Sequence, residues 1–89
     1  MAAVRLDGML RQFGAKTAIT EEARTVRAIL DRVEDRFPRL RYRIRDETGR
    51  VRGNVRLFVN GTDVEDLQGL DTPLSASDEV DILHSIQGG

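Results

Sequence analysis

The chain contains no cysteine. That excludes disulfides, thiolate metal sites and a cysteine nucleophile, and it leaves any sulfur chemistry without a side-chain thiol. Lysine is nearly absent as well. Of 14 Lys plus Arg, only Lys16 is lysine. Genome base composition is the plain cause, but the consequence is physical: there is almost no lysine amine to modify. No apolar run approaches a membrane span, and the N-terminus lacks the apolar core of a signal peptide. The expectation is a cytoplasmic protein with no membrane partner. Neither sign of charge dominates, because 15 acidic residues leave a net charge of −1. No global field points towards nucleic acid or membrane.

What remains suits one small soluble domain. A chain of 89 residues buries somewhat over 60% of its unfolded surface, enough for one core but not for a deep catalytic cleft as well. The hydrophobic fraction is 39% and the charged fraction 33%, both ordinary for a globular domain. Ala3 to Leu10 reads as a first strand, with Val4 and Leu6 alternating against Arg5 and Asp7. Gly14 marks a turn. Lys16 to Thr20 then returns as a second strand, with Ala18 and Thr20 on one face and Ile19 on the other.

A helix follows. Val26, Ile29, Leu30, Val33 and Phe37 form one apolar stripe at helical period. Thr25 is a suitable N-cap, and Pro38 stops the helix by clashing with its last turn. Arg27, Asp31, Arg32, Glu34, Asp35 and Arg36 read as a solvated outer face. Arg39, Arg41, Arg43, Arg45, Arg50 and Arg52 then crowd one stretch. Asp46 and Glu47 interrupt them, and Tyr42 is the only aromatic there on which a base could stack. The stretch therefore reads as a polar loop around an Asp46–Gly49 turn, not as a nucleic-acid site.

Val55, Leu57 and Val59 alternate with Arg56 and Phe58, and Asn60-Gly61 supplies a tight hairpin turn into a short return at Thr62 to Val64. Leu67, Leu70 and Leu74 lie in a connection broken by Gly69 and Pro73 and are expected to plug one end of the core. Glu79 to Leu83 is the last strand, with Val80 and Ile82 inward. The order predicts an α+β fold: a mixed sheet of four to five strands with one main helix. The first and last strands should be adjacent and parallel, since the helix supplies the crossover. One helix covers one face of such a sheet, so the other is wet or meets a partner. Phe58 and Leu83, with Arg56, are placed on that uncovered face as a docking patch.

The sequence closes on Gly88-Gly89. Glycine lacks a Cβ, so a Gly-Gly tail is thin enough to enter a narrow channel. Ser85 to Gly89 can reach about 17 Å beyond the last strand at full stretch. A carboxylate presented this way suits a substrate or carrier better than a catalyst, and no catalytic or metal-ligating set is proposed.

Taken together, Val55-Arg-Leu-Phe-Val-Asn-Gly-Thr-Asp-Val64, Gly69-Leu-Asp-Thr-Pro-Leu74, Asp78-Glu-Val-Asp-Ile-Leu83 and Gly88-Gly89 resemble the ThiS/MoaD family of ubiquitin-like sulfur carriers. The arginine-rich insertion before Val55 is most similar to its CysO-like branch. The resemblance implies a β-grasp domain over residues 1–84 and a flexible tail over 85–89. It implies that an E1-like adenylyltransferase of the MoeB/ThiF type activates Gly89 using ATP and Mg²⁺. A sulfurtransferase or other sulfur donor would then convert Gly89 to a thiocarboxylate. A biosynthetic enzyme making cysteine, a thiosugar or a similar metabolite would accept the sulfur. Gly88, Gln87 and Ile86 would enter the partner's active site, and the chain itself would bind no cofactor. A small subunit of molybdopterin synthase and a ubiquitin-like protein modifier are the alternatives. One departure stands out: where family tails commonly carry proline after the last strand, this chain has His84.

Overall fold

The computed structural model describes residues 1–6, 10 and 18–84. Five strands form one mixed sheet: β1 (Ala2–Leu6), β2 (Ala18–Glu21), β3 (Val55–Val59), β4 (Thr62–Asp63) and β5 (Glu79–His84), in the order β2-β1-β5-β3-β4. β1 runs antiparallel to β2 and parallel to β5, with Val4 opposite Val80 and Leu6 opposite Ile82. β5 runs antiparallel to β3, with Leu57 opposite Ile82. The expected parallel contact of first and last strands is therefore present at the centre of the sheet. The first strand is shorter than its alternation suggested, ending at Leu6, and Leu10 is helical and fully buried. Alternation over so few residues does not separate a strand end from the start of a buried helical turn. The expected turn at Gly14 lies outside the described residues.

Helix α1 (Val26–Arg36) packs on one face of the sheet. Its buried residues are Val26, Ile29, Leu30 and Val33, the stripe that the period of 3.6 selects. Thr25 caps the helix, its hydroxyl accepting from the Ala28 amide at 3.2 Å. The Val26 amide, freed by lying in the first turn, donates to the Thr72 carbonyl at 3.1 Å. At the other end Pro38 begins a 3₁₀ turn (Pro38–Leu40), where its missing amide and fixed φ cost nothing. The sheet contributes Ala2, Val4, Leu6, Ile19, Val55, Leu57, Val59, Val80 and Ile82 to the same core. Of the anticipated stripe only Phe37, just past the helix end, is partly buried; the other core positions anticipated on the helix and on β3 and β5 are buried, so the strand register is as expected.

Two stretches differ from their reading as sequence. Residues 39–53 are not simply a polar loop. Leu40 and Ile44 are fully buried, and Val51 packs partly against the core. Between these anchors, Asp46 folds the chain back: its carboxylate accepts from the amides of Thr48 and Arg50, and Gly49 takes φ 90°. The helix face is not wholly solvated either. Arg45 reaches across it and donates to Glu34 at 3.0 Å and Asp31 at 2.7 Å. Burial opposes the Arg45 charge, but the two carboxylates outweigh it and hold the guanidinium above its ordinary pKa. In the 64–74 connection, Leu70 and Leu74 pack on the core as expected. Leu67 does not: it is 43% exposed, because it follows a 3₁₀ turn (Val64–Asp66) that buries Val64 in its place.

Arg45 and Glu34 are nearly buried, with side chains 12% and 13% exposed. By contrast, the Arg36–Glu21 pair at 3.1 Å involves a guanidinium 47% exposed. Removing one partner of the buried pair strands a charge, whereas the exposed pair is screened by water. Arg45→Ala is therefore expected to cost about 2 kcal/mol and Arg36→Ala under about 1 kcal/mol, read by urea denaturation. Equal costs for the two would refute a stabilising role for the Arg45–Glu34 pair beyond that of a surface pair.

Candidate functional site

The parity of the ladder decides what the uncovered face displays. Phe58 pairs with Asp81 and Arg56 with Leu83, so Phe58 and Leu83 are diagonal neighbours on the face opposite α1. Leu83 is 44% exposed, Phe58 is half-buried and Arg56 is exposed. The structure thus places all three anticipated docking residues on one surface. Phe58 is less open than expected, because Asp81 and Asp63 pair with it from either side.

That surface is acidic in a way its apolar alternation did not show. Arg56 faces Asp63 at 3.9 Å and Glu65 at 3.7 Å. Arg5 donates to Glu79 at 2.8 Å and lies 3.5 Å from Asp81. The hydrogen bond to Glu79, then the charges of Asp81 and Glu79, raise the Arg5 pKa. Strict alternation along β1 and β5 would have found Arg5 and Asp81, and pairing β4 with β3 across the hairpin would have found Asp63. Glu65 carries no such signal, since it lies in a turn.

The Asn60-Gly61 turn is built as its residues suggest. Asn60 takes φ 51° and Gly61 φ 86°, the two positive values that a tight hairpin turn needs. Asn60 does more than turn the chain. Its side-chain amide donates to Asp78 at 3.0 Å, while its oxygen accepts from the Glu79 amide at 2.9 Å. Asp78 also accepts from the Ser75 amide at 2.7 Å. This clamp holds the start of β5 against the end of β3.

His84 is not a tail residue. It closes β5 opposite Val55, on the helix side of the sheet, half-buried. Its Nε2 lies 3.2 Å from the side-chain nitrogen of Asn54. The departure from the proline pattern is therefore a strand position, where the β3–β5 ladder runs one pair further than the sequence suggested. Gly89, Gly88, Gln87 and Ile86 lie outside the described residues. Among the described residues, no three His, Asp or Glu side chains are grouped to hold a metal, and no helix is long and apolar enough to cross a membrane.

A family model described as the ThiS family matches residues 4–89. The chain belongs to the ThiS family. Solved structures of similar proteins bear this out in three dimensions. Small archaeal modifier protein 1 from Methanosarcina acetivorans is 30% identical, with a TM-score of 0.86 over 99% of this chain and 95% of that one. The Amycolatopsis orientalis BexX/CysO complex contains a chain 27% identical, TM-score 0.87, covered over 100% of both. Mycobacterium tuberculosis CysO is 25% identical, TM-score 0.85, over 97% of this chain and all of that one. No curated protein matches the chain. The fold is thus the ubiquitin-like β-grasp, in a family of sulfur carriers and modifiers. The CysO likeness agrees with the resemblance carried by the arginine-rich insertion.

The clamp at Asp78 gives a pH signature. The Ser75 amide, then the Asn60 side chain, hold its carboxyl below the ordinary value of 3.8. A carboxyl lowered by folding stabilises above the unfolded value, and that stability is lost as pH falls through the folded one. Asp78→Ala should therefore melt below the parent at pH 6, and the gap should close as the pH is taken below 3.8. A gap independent of pH, measured by thermal melting, would count against a charged clamp.

Proposed function

We propose that this protein is a sulfur carrier whose Gly89 carboxylate is activated and converted to a thiocarboxylate. The observation that carries the reading is the ThiS family match, which extends over Gly88-Gly89. The chemistry needs little from the carrier. The Gly89 carboxylate attacks the α-phosphorus of ATP on an E1-like adenylyltransferase, pyrophosphate leaves, and a mixed anhydride with AMP results. Hydrosulfide then attacks the glycyl carbonyl and AMP departs, leaving a terminal thiocarboxylate. Its sulfur is the nucleophile for a biosynthetic enzyme, so no cysteine is required. ATP and Mg²⁺ belong to the activating enzyme, and a sulfurtransferase can stand in for hydrosulfide as donor.

In this reading Phe58 and Leu83 anchor the activating partner, with Arg56 and its acidic neighbours setting register. A central apolar pair inside a charged rim is the usual anatomy of a protein docking site. Ile86, Gln87 and Gly88 would thread into the partner. That a CysO relative forms a complex with BexX supports a carrier that docks onto an enzyme. The likeness to an archaeal modifier protein favours a second use of the same activated Gly89. There a lysine amine of a target protein, not sulfur, would attack the carbonyl and form an isopeptide bond.

Two measurements test the reading. With ATP, Mg²⁺, an E1-like adenylyltransferase and sulfide, intact-mass spectrometry should show oxygen replaced by sulfur on the C-terminal peptide. Deleting Gly89 should abolish the shift and leave the fold intact. A shift on an internal peptide would refute the carrier; adducts with lysine-containing proteins would favour the modifier. Separately, Phe58→Ala or Leu83→Ala should weaken binding to the adenylyltransferase by about 1 to 2 kcal/mol while the protein stays folded. Unchanged affinity by calorimetry in both variants would remove this face from the interaction.

A further inference from the structure

Tyr42 occupies a conformation that its side chain does not favour. Its φ is 68°, and the residue is 53% exposed. A bulky residue in the left-handed region crowds its Cβ against its own backbone, a strain glycine or asparagine avoids. Burial does not repay that strain, because the residue lies largely in solvent. Backbone outliers of this kind concentrate at functional surfaces.

The surroundings say what the surface would take. Residues 39–52 carry six arginines against Asp46 and Glu47, a net of +4, while the rest of the chain has 8 basic and 13 acidic residues, a net of −5. Arg45 is consumed by Asp31 and Glu34. Arg39, Arg41, Arg43, Arg50 and Arg52 are all exposed. Asp46 is committed to its own turn, its carboxyl lowered first by Thr48 and also by the Arg52 charge. The segment therefore carries more positive charge than its own two acids balance.

The segment is also held rigid. Leu40 and Ile44, on either side of the Tyr42 turn, are fully buried. The Arg43 amide donates to the Leu40 carbonyl at 2.9 Å. The Arg52 side chain donates to the Tyr42 carbonyl at 2.6 Å. Tyrosine and arginine on a fixed scaffold are the residue types that anchor protein interfaces.

We propose that the Tyr42 turn and its arginines form a second docking surface, which binds an acidic segment of a partner protein. It is separate from the acidic sheet face around Phe58 and does not depend on the chemistry assigned to Gly89. A protein fits better than a nucleic acid. The negative remainder of the chain repels an extended polyanion, and one aromatic offers a single stacking platform where strand binding uses several. A short acidic segment meets only the positive patch.

Fluorescence anisotropy of the full chain tests this with two labelled probes, octaglutamate and octauridylate. Octaglutamate should bind more tightly, with affinity falling as salt rises. Arg39→Glu with Arg41→Glu should weaken it at least about tenfold, whereas the equal charge change Arg24→Glu with Arg27→Glu should not. Tyr42→Gly should keep the fold and its melting temperature while weakening the binding. That separation would not occur if Tyr42 served only the fold. Tighter binding of octauridylate would overturn the proposal in favour of nucleic acid. Equal losses from both arginine pairs, or no loss in Tyr42→Gly, would reduce the patch to general ionic attraction and overturn it as well.

Discussion

The parallel pairing of β1 with β5 is the contact on which the rest of the molecule depends. It sets Val4 opposite Val80 and Leu6 opposite Ile82, residues from the two ends of the domain, and it puts both strands in the interior of the sheet. A parallel pair cannot be closed by a tight turn, so the intervening chain must cross over one face. That requirement sends α1 to one side with its stripe inward. It also leaves Arg5, Asp81, Phe58 and Leu83 together on the other. The closure carries an entropic cost that the core packing must offset. The stitching between α1 and the 72–74 stretch, and the Asn60–Asp78 clamp, then hold the two ends of the crossover in register.

One-sided cover divides the surface by charge. The sheet face pairs its arginines with acids close by, and the acids are in excess. The 39–52 segment gathers arginine instead and places Arg45 on the helix. The near-zero net charge thus conceals two fields of opposite sign. On the proposed reading, in which more than one protein recognises the chain, such a division helps, since like-charge contact disfavours the wrong face of a partner while complementary charge draws the right one.

Much of this was legible in the sequence, and the reasons are local. The α1 stripe, the β3 and β5 alternation and the Asn60-Gly61 turn each follow from periodicity or backbone preference. Phe58, Leu83 and Arg56 followed by parity alone. The rest depends on distant partners. Leu40 and Ile44 sit four apart among arginines beyond the Pro38 stop, a spacing that helix and alternating strand both allow, so their burial appears only when the segment is docked. Arg45 looks like its five neighbours until Asp31 and Glu34 are brought beside it. His84 read as tail because strand ends are set by the partner strand, here by Val55, and the ladder runs further than the apolar alternation. Tyr42 is the extreme case, since a positive φ at a tyrosine has no signature in composition or pattern.

The absence of cysteine gains its meaning from this architecture. A carrier that held sulfur on a thiol would need that thiol exposed and ionised, and therefore open to oxidation. On the proposed reading, the sulfur rides on a carboxyl carbon beyond the last strand, and it exists only after a partner has activated that carbon. The domain itself then has no reactive group to protect. What it must supply is recognition: a face that docks, a strand held firmly up to His84, and a tail thin enough to enter another active site. A β-grasp sheet covered on one side meets that demand with few residues, because the face left without a helix is already available to a partner and the last strand is already in the middle of the fold.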